Sequence, residues 1–267
     1  MSALTAALML AYVLSEFISI TDRSVQLSAA GIQVELALNT QAVVALLTSA
    51  LAVSGTSWLL SGHPEYRRRQ APEHWALPGL TAWVLSISLA ALPAGSIWWL
   101  TLGLGTSFLA LVWIAEFITV DPKDGHFRFA ANGLTALSFA LFLALTINLR
   151  AIQTRLMFLL PAASLPVFFI IARYIALKLQ AQEMLDSGNR TISLLAAGAA
   201  AIIAAQLATA MHFLPISALS FGLALLAPIY AVGVLLGNLV EDRPPVRTIL
   251  EPALVLTLLW LFAFWLK

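Results

Sequence analysis

Ser61–Trp75 reads SGHPEYRRRQAPEHW, a polar run with Arg67, Arg68 and Arg69 in succession and apolar segments on both sides. Backbone and side chains this polar cannot sit in hydrocarbon, so the run fixes the face on which its neighbouring spans end and begin. The rest of the chain makes hydrocarbon the expected solvent. Apolar residues supply 61% of it and charged residues 10%, against about a quarter charged in a soluble domain. That leaves too little polar surface to cover a globule in water. We therefore expect one polytopic transmembrane domain over residues 1–267, an all-α bundle of about nine helices.

The spans follow from hydropathy and from Pro, Gly and charge punctuation. They run near 3–20, 41–60, 76–92, 97–118, 129–149, 156–177, 191–213, 216–240 and 249–266. No basic residue precedes the first apolar stretch, which favours a retained span over a cleaved signal. Pro161 and Pro166 predict a kink or a late start in the sixth span. Lys178 to Arg190 reads as an amphipathic surface linker. In 21–40, Val25 and Leu27 alternate with Gln26 and Ser28, and Ile32, Val34 and Leu36 alternate with Gln33 and Glu35. That period of two predicts a small outer β-hairpin turning at Ala29-Ala30-Gly31. The alternative is an early start to the second helix.

With nine spans, ten Lys and Arg fall on the face carrying Arg67–Arg69, and four on the other: Arg23, Arg150, Arg155 and Lys267. The positive-inside rule then places the triple arginine and the amino terminus in the cytoplasm, the carboxyl terminus outside, and the protein in a cell inner membrane. The three arginines are either this topology signal alone or a cluster for lipid headgroup phosphates.

Net charge is +1 and cysteine is absent. Nucleic acid, disulfides, thiolate metal sites and cysteine nucleophiles are excluded as expectations. No GxSxG, GxxxxGK[ST] or HExxH spacing occurs, so no catalytic, cofactor or metal residues are assigned. Ionisable groups near span ends are the candidates that remain. Glu116 and Arg173 share the inner side and a similar depth, so they can pair as an ion lock or as a gate or proton-linked site. Glu16 and His212 share the outer side and are too few for a metal. Asn132, Asn148, Gln206 and Asn238 suit interhelical hydrogen bonding, and the alanine-rich seventh span offers a small-residue face to a membrane-protein partner.

LSEFISI at 14–20 is echoed by IAEFITV at 114–120 in a span of opposite direction, which would suit an inverted repeat. Three functions are therefore open. The first is a non-catalytic scaffold or accessory subunit. The second is a small-solute or lipid transporter. The third is an enzyme on a lipid-linked substrate, using Glu16 and Asp22. The combination of GTSWLLSGHPE, LPAGSIWWLTLGLG and AEFITVDP resembles an uncharacterised family of bacterial multi-pass membrane proteins. That resemblance implies an all-helical membrane domain and no activity, cofactor or site residue.

Tags inserted at Arg67–Arg69 and after Lys267 are expected to be reachable from opposite compartments. Equal reachability from one compartment overturns this threading.

Overall fold

In the computed structural model the apolar segments fold as helices. The described residues are 2–17, 23–29, 32–38, 40–63, 66, 73–182, 187–242 and 244–266; for 23–29, 32–38, 73 and 187 the description is of backbone alone. Nine helices occur among them. These are α1 (Ser2–Phe17), α2 (Thr40–Ser61), α3 (Glu73–Ala90), α4 (Ser96–Ile118), α5 (Phe127–Ala151), α6 (Leu156–Ala181), α7 (Ser187–His212), α8 (Ala218–Val240) and α9 (Pro245–Trp265). Between α1 and α2, β1 (Arg23–Ala29) and β2 (Ile32–Leu38) pair antiparallel, with Val25 opposite Leu36 and Leu27 opposite Val34. Ala30 and Gly31, where the turn is expected, lie outside the described residues.

Seven of the helices, all but α1 and α3, are long and apolar enough to cross a membrane. At 16 residues, α1 is about 24 Å long against a hydrocarbon core of about 30 Å. α3 has 18 residues, begins with Glu73 and His74, and carries Pro78 inside. Four of the seven, α2, α4, α7 and α9, expose Leu47, Leu100, Leu104, Leu195, Ile202, Leu250, Leu254 and Leu258. A protein surrounded by water rarely shows apolar surface on this scale; the architecture fits a multi-pass membrane protein.

The late start expected of α6 does not occur. The helix begins at Leu156, ahead of both prolines. Nor does the surface linker begin at Lys178, because α6 continues to Ala181 and buries Gln180.

The chain divides into two compact units. The first comprises Met1–Pro64 and Pro78–Ile114, the second Glu65–Leu77 and Ala115–Lys267. The first unit has a core of Leu8, Tyr12, Ala52, Ala82, Leu85, Leu89, Trp98, Leu102, Leu109 and Trp113. Buried polar contacts stitch it. Tyr12 donates its hydroxyl to the Ala82 carbonyl at 2.8 Å, and Trp113 donates Nε1 to Thr56 Oγ1 at 2.9 Å. Thr56 in turn donates to the Ala52 carbonyl one turn back, at 2.7 Å. Such i−4 bonds let hydroxyls lie in an apolar core with no outside partner.

In the second unit α6 packs against α5, α7 and α8. Small residues set the approach. Ala197, Ala200, Ala204 and Ala208 form a buried stripe on α7, whose most extensive packing is on α6. The other side of α7 stays open: Ala199 and Ala210 are exposed, and a Cβ on Gly198 would meet nothing within 4 Å. On α8, Gly233 and Gly237 lie one turn apart. A Cβ on Gly233 would meet Ile171 Cδ1 at 2.9 Å, and one on Gly237 would meet the Tyr174 ring at 2.6 Å. Close helix approach of this kind needs glycine.

Gly237→Leu is expected to destabilise the protein by about 1–3 kcal/mol through overpacking against Tyr174. Gly103, whose Cβ would meet nothing within 4 Å, should accept alanine with no loss. Apparent melting temperatures in detergent check both.

Candidate functional site: a buried His–Glu–Arg cluster

Several polar groups of the second unit converge at the end of α4. Glu116 lies in the last turn of that helix, fully buried. Arg173 reaches it from α6, donating Nη2 to Glu116 Oε2 at 2.6 Å. The same Nη2 donates to Thr119 Oγ1 at 2.8 Å, while the Thr119 hydroxyl donates to the Glu116 carbonyl at 3.1 Å. His74, in the first turn of α3, places Nδ1 at 2.7 Å from Glu116 Oε2 and 3.1 Å from Arg173 Nη2. Those two contacts need opposite states of Nδ1, a donor for the first and an acceptor for the second. Nη2 carries two hydrogens, and Glu116 and Thr119 take both. Nδ1–H therefore donates to the carboxylate.

Gln180 stands seven residues after Arg173, hence on the same face of α6. Its Nε2 donates to the carbonyls of Thr119 and Val120 at 3.1 and 3.2 Å. Those are carbonyls that the end of a helix leaves without an amide partner, so Gln180 acts as a C-terminal cap for α4. Beside His74, Tyr66 packs its ring edge-on at 5.9 Å and accepts a hydrogen bond from Trp75 Nε1 at 3.1 Å.

His74 and Arg173 are each only 4% exposed, and Glu116 and Thr119 are at 0%. An isolated charge at such a position is costly; a paired one is tolerated when its hydrogen bonds are made. Here they are made incompletely. Glu116 Oε1 and Arg173 Nε are buried with no hydrogen-bond partner among the described residues.

The structure thus brings Glu116 and Arg173 together. Glu16 is an exposed residue in the last turn of α1, in the first unit. His212 ends α7 in the second, with Nδ1 buried and without a hydrogen-bond partner among the described residues, and its ring edge-on to Phe213 at 5.3 Å. Arg67, Arg68, Arg69 and Asp22 lie outside the described residues. The two echoed glutamates differ sharply, Glu16 exposed and Glu116 fully buried.

The expected amide glue is not the pattern seen. Asn148 donates to the Ala144 carbonyl of its own helix at 2.9 Å, and Asn132 and Gln206 are exposed. Asn238 is buried, and its Nδ2 has no hydrogen-bond partner among the described residues. Among the described residues no group of three or more metal-ligating side chains occurs.

His74 and Gln180 were missed from sequence. The available signal was the Arg173/Gln180 spacing of two turns on an otherwise apolar helix, and a histidine opening a span beside the polar loop.

A family model described as "Protein of unknown function (DUF5656)" matches residues 20–266. The chain belongs to this family. No curated protein and no solved structure matches it. The DUF5656 family description carries no activity, so the chemistry of the cluster must be argued from its geometry.

Removing one partner of the pair leaves a buried unpaired charge. Arg173→Met or Glu116→Leu alone is expected to cost about 3–5 kcal/mol, and the double variant to recover much of that. Gln180→Leu, which leaves the Thr119 and Val120 carbonyls without a donor, should cost about 1–3 kcal/mol. Denaturant unfolding in mixed micelles checks the set; an additive double variant overturns the coupling.

Proposed function

We propose that this DUF5656 protein is a non-catalytic scaffold or accessory subunit of a membrane complex. The observation that supports it is the burial of the His74–Glu116–Arg173 cluster. The ionisable groups that converge in the second unit bond to one another and to the end of α4. In this reading they lock helices, and no reacting atom is approached by a second acid, base or nucleophile. The alanine stripe of α7 is buried, on a helix whose most extensive packing is on α6. A partner would therefore meet the larger apolar side chains left exposed, such as those of α9, within the bilayer.

The proposal includes α1 and α3 as additional spans, giving nine, in an inner membrane. The amino terminus and the Arg67–Arg69 loop would be cytoplasmic, and the hairpin and carboxyl terminus outside. The loop arginines would then lie at an anionic leaflet, each contributing about 1 kcal/mol of attraction.

A second reading, a proton-linked transporter, is favoured by Glu116 Oε1 and Arg173 Nε, which have no hydrogen-bond partner among the described residues. A fully structural lock would leave neither atom unpaired. A carboxylate bonded on one oxygen and vacant on the other can receive a proton without dismantling the arginine contact.

The two readings separate in one experiment. For a scaffold, a stable partner co-purifies from native membranes, and proteoliposomes of the isolated protein hold an imposed pH gradient unchanged. For a transporter, the gradient collapses when substrate is supplied, and Glu116→Gln abolishes the collapse while the protein remains folded.

A further inference from the structure

The first unit contains a cavity of about 450 Å³, lined by residues including Tyr12, Ser15, Glu16, Gln41, Ser86 and Trp98. That size falls within the range of small-ligand sites, about 300–1,000 Å³. It lies where α1 and α3 end and α2 and α4 begin. Two carboxyl-terminal and two amino-terminal helix ends largely offset one another's dipoles. Among the described lining residues Glu16 is the charged one, and no Lys, Arg or His stands with it.

The neighbouring polar groups have already turned donors inward. Tyr12 gives its hydroxyl to the Ala82 carbonyl at 2.8 Å, Ser15 gives its own to the Tyr12 carbonyl at 2.6 Å, and Gln41 gives Nε2 to the Ala90 carbonyl at 3.5 Å. What they retain for a ligand is chiefly oxygen lone pairs (Gln41 keeps one N–H as well). Glu16 has no ion pair among the described residues. A carboxylate, spare oxygen acceptors and an indole wall together select a cation that donates several hydrogen bonds.

We propose that this cavity binds a primary ammonium group. A quaternary ammonium fits less well, because it has no N–H to give to Glu16, Ser15 or Gln41. The group can arrive on an aminophospholipid headgroup or as a free amine. Phe17 and Trp99 stand exposed beside the cavity residues, at 79% and 57%, and supply apolar surface for acyl chains.

The full chain, reconstituted in phosphatidylcholine vesicles, tests the site. Phosphatidylethanolamine is doped in as one probe and soluble ethanolamine is added as the other. Apparent melting temperature and lipid retained in native mass spectra are read. We expect a stabilising shift with ethanolamine chemistry and none with added choline. A shift seen only with the lipid assigns the headgroup; a shift with soluble ethanolamine assigns a free amine. Glu16→Gln should weaken the effect about tenfold or more, as expected for losing a charge-assisted bond. Gln41→Leu, which removes an acceptor without altering charge, should weaken it several-fold and reports separately should Glu16→Gln lower basal stability. Equal responses to ethanolamine and choline, no response to either probe, or full binding by Glu16→Gln would each overturn the proposal.

Discussion

A carboxylate and a guanidinium buried among apolar helices can persist only in each other's company. In the second unit Glu116 and Arg173 satisfy that condition, and much else is arranged around it. The end of α4 must lie where α6 can reach it, so Gln180, two turns past Arg173, meets the carbonyls of Thr119 and Val120. The start of α3 must bring His74 to the same carboxylate. Three helix segments are thereby tied by groups that would each be destabilising alone.

Elsewhere many buried hydroxyls are satisfied within their own helices. Thr48, Thr56, Thr106, Ser138 and Thr146 are buried and donate to carbonyls one turn back in their own helices. These residues cost little when no solvent is present and need no partner helix. Helix association then rests on shape, with the alanine stripe of α7 and Gly233 and Gly237 of α8 permitting close approach. The two kinds of contact divide the work: small residues set distance, and the ion cluster sets which helix ends meet.

Some of this was legible in the chain and some was not. Hydropathy located the seven long helices, because twenty-odd apolar residues bounded by charges leave few other solutions. Glu116 and Arg173 were legible as candidates since each is a lone charge at a comparable depth. Their distance was not, because depth along a helix axis says nothing about rotation around it. His74 was hidden by its position at a loop edge, where a histidine is usually solvated. The α7 stripe was visible, but its occupant was not: a small-residue face is equally suited to a helix of the same chain or of another. Of the two outcomes that Pro161 and Pro166 predicted for α6, the late start did not occur: the helix begins at Leu156 with both prolines inside it, each leaving a carbonyl one turn back without its amide.

Composition, hydropathy and charge placement by themselves determined the helical class, the approximate ends of the long helices and the residues worth watching. These are properties of each segment and its solvent. Only the tertiary structure decided that Glu116 meets both Arg173 and His74, that Gln180 closes α4, that Glu16 borders a cavity, and that the chain divides into two units whose segments interleave in sequence. Those outcomes depend on helix rotation and side-chain packing, which a one-dimensional pattern of apolar and polar residues leaves undetermined.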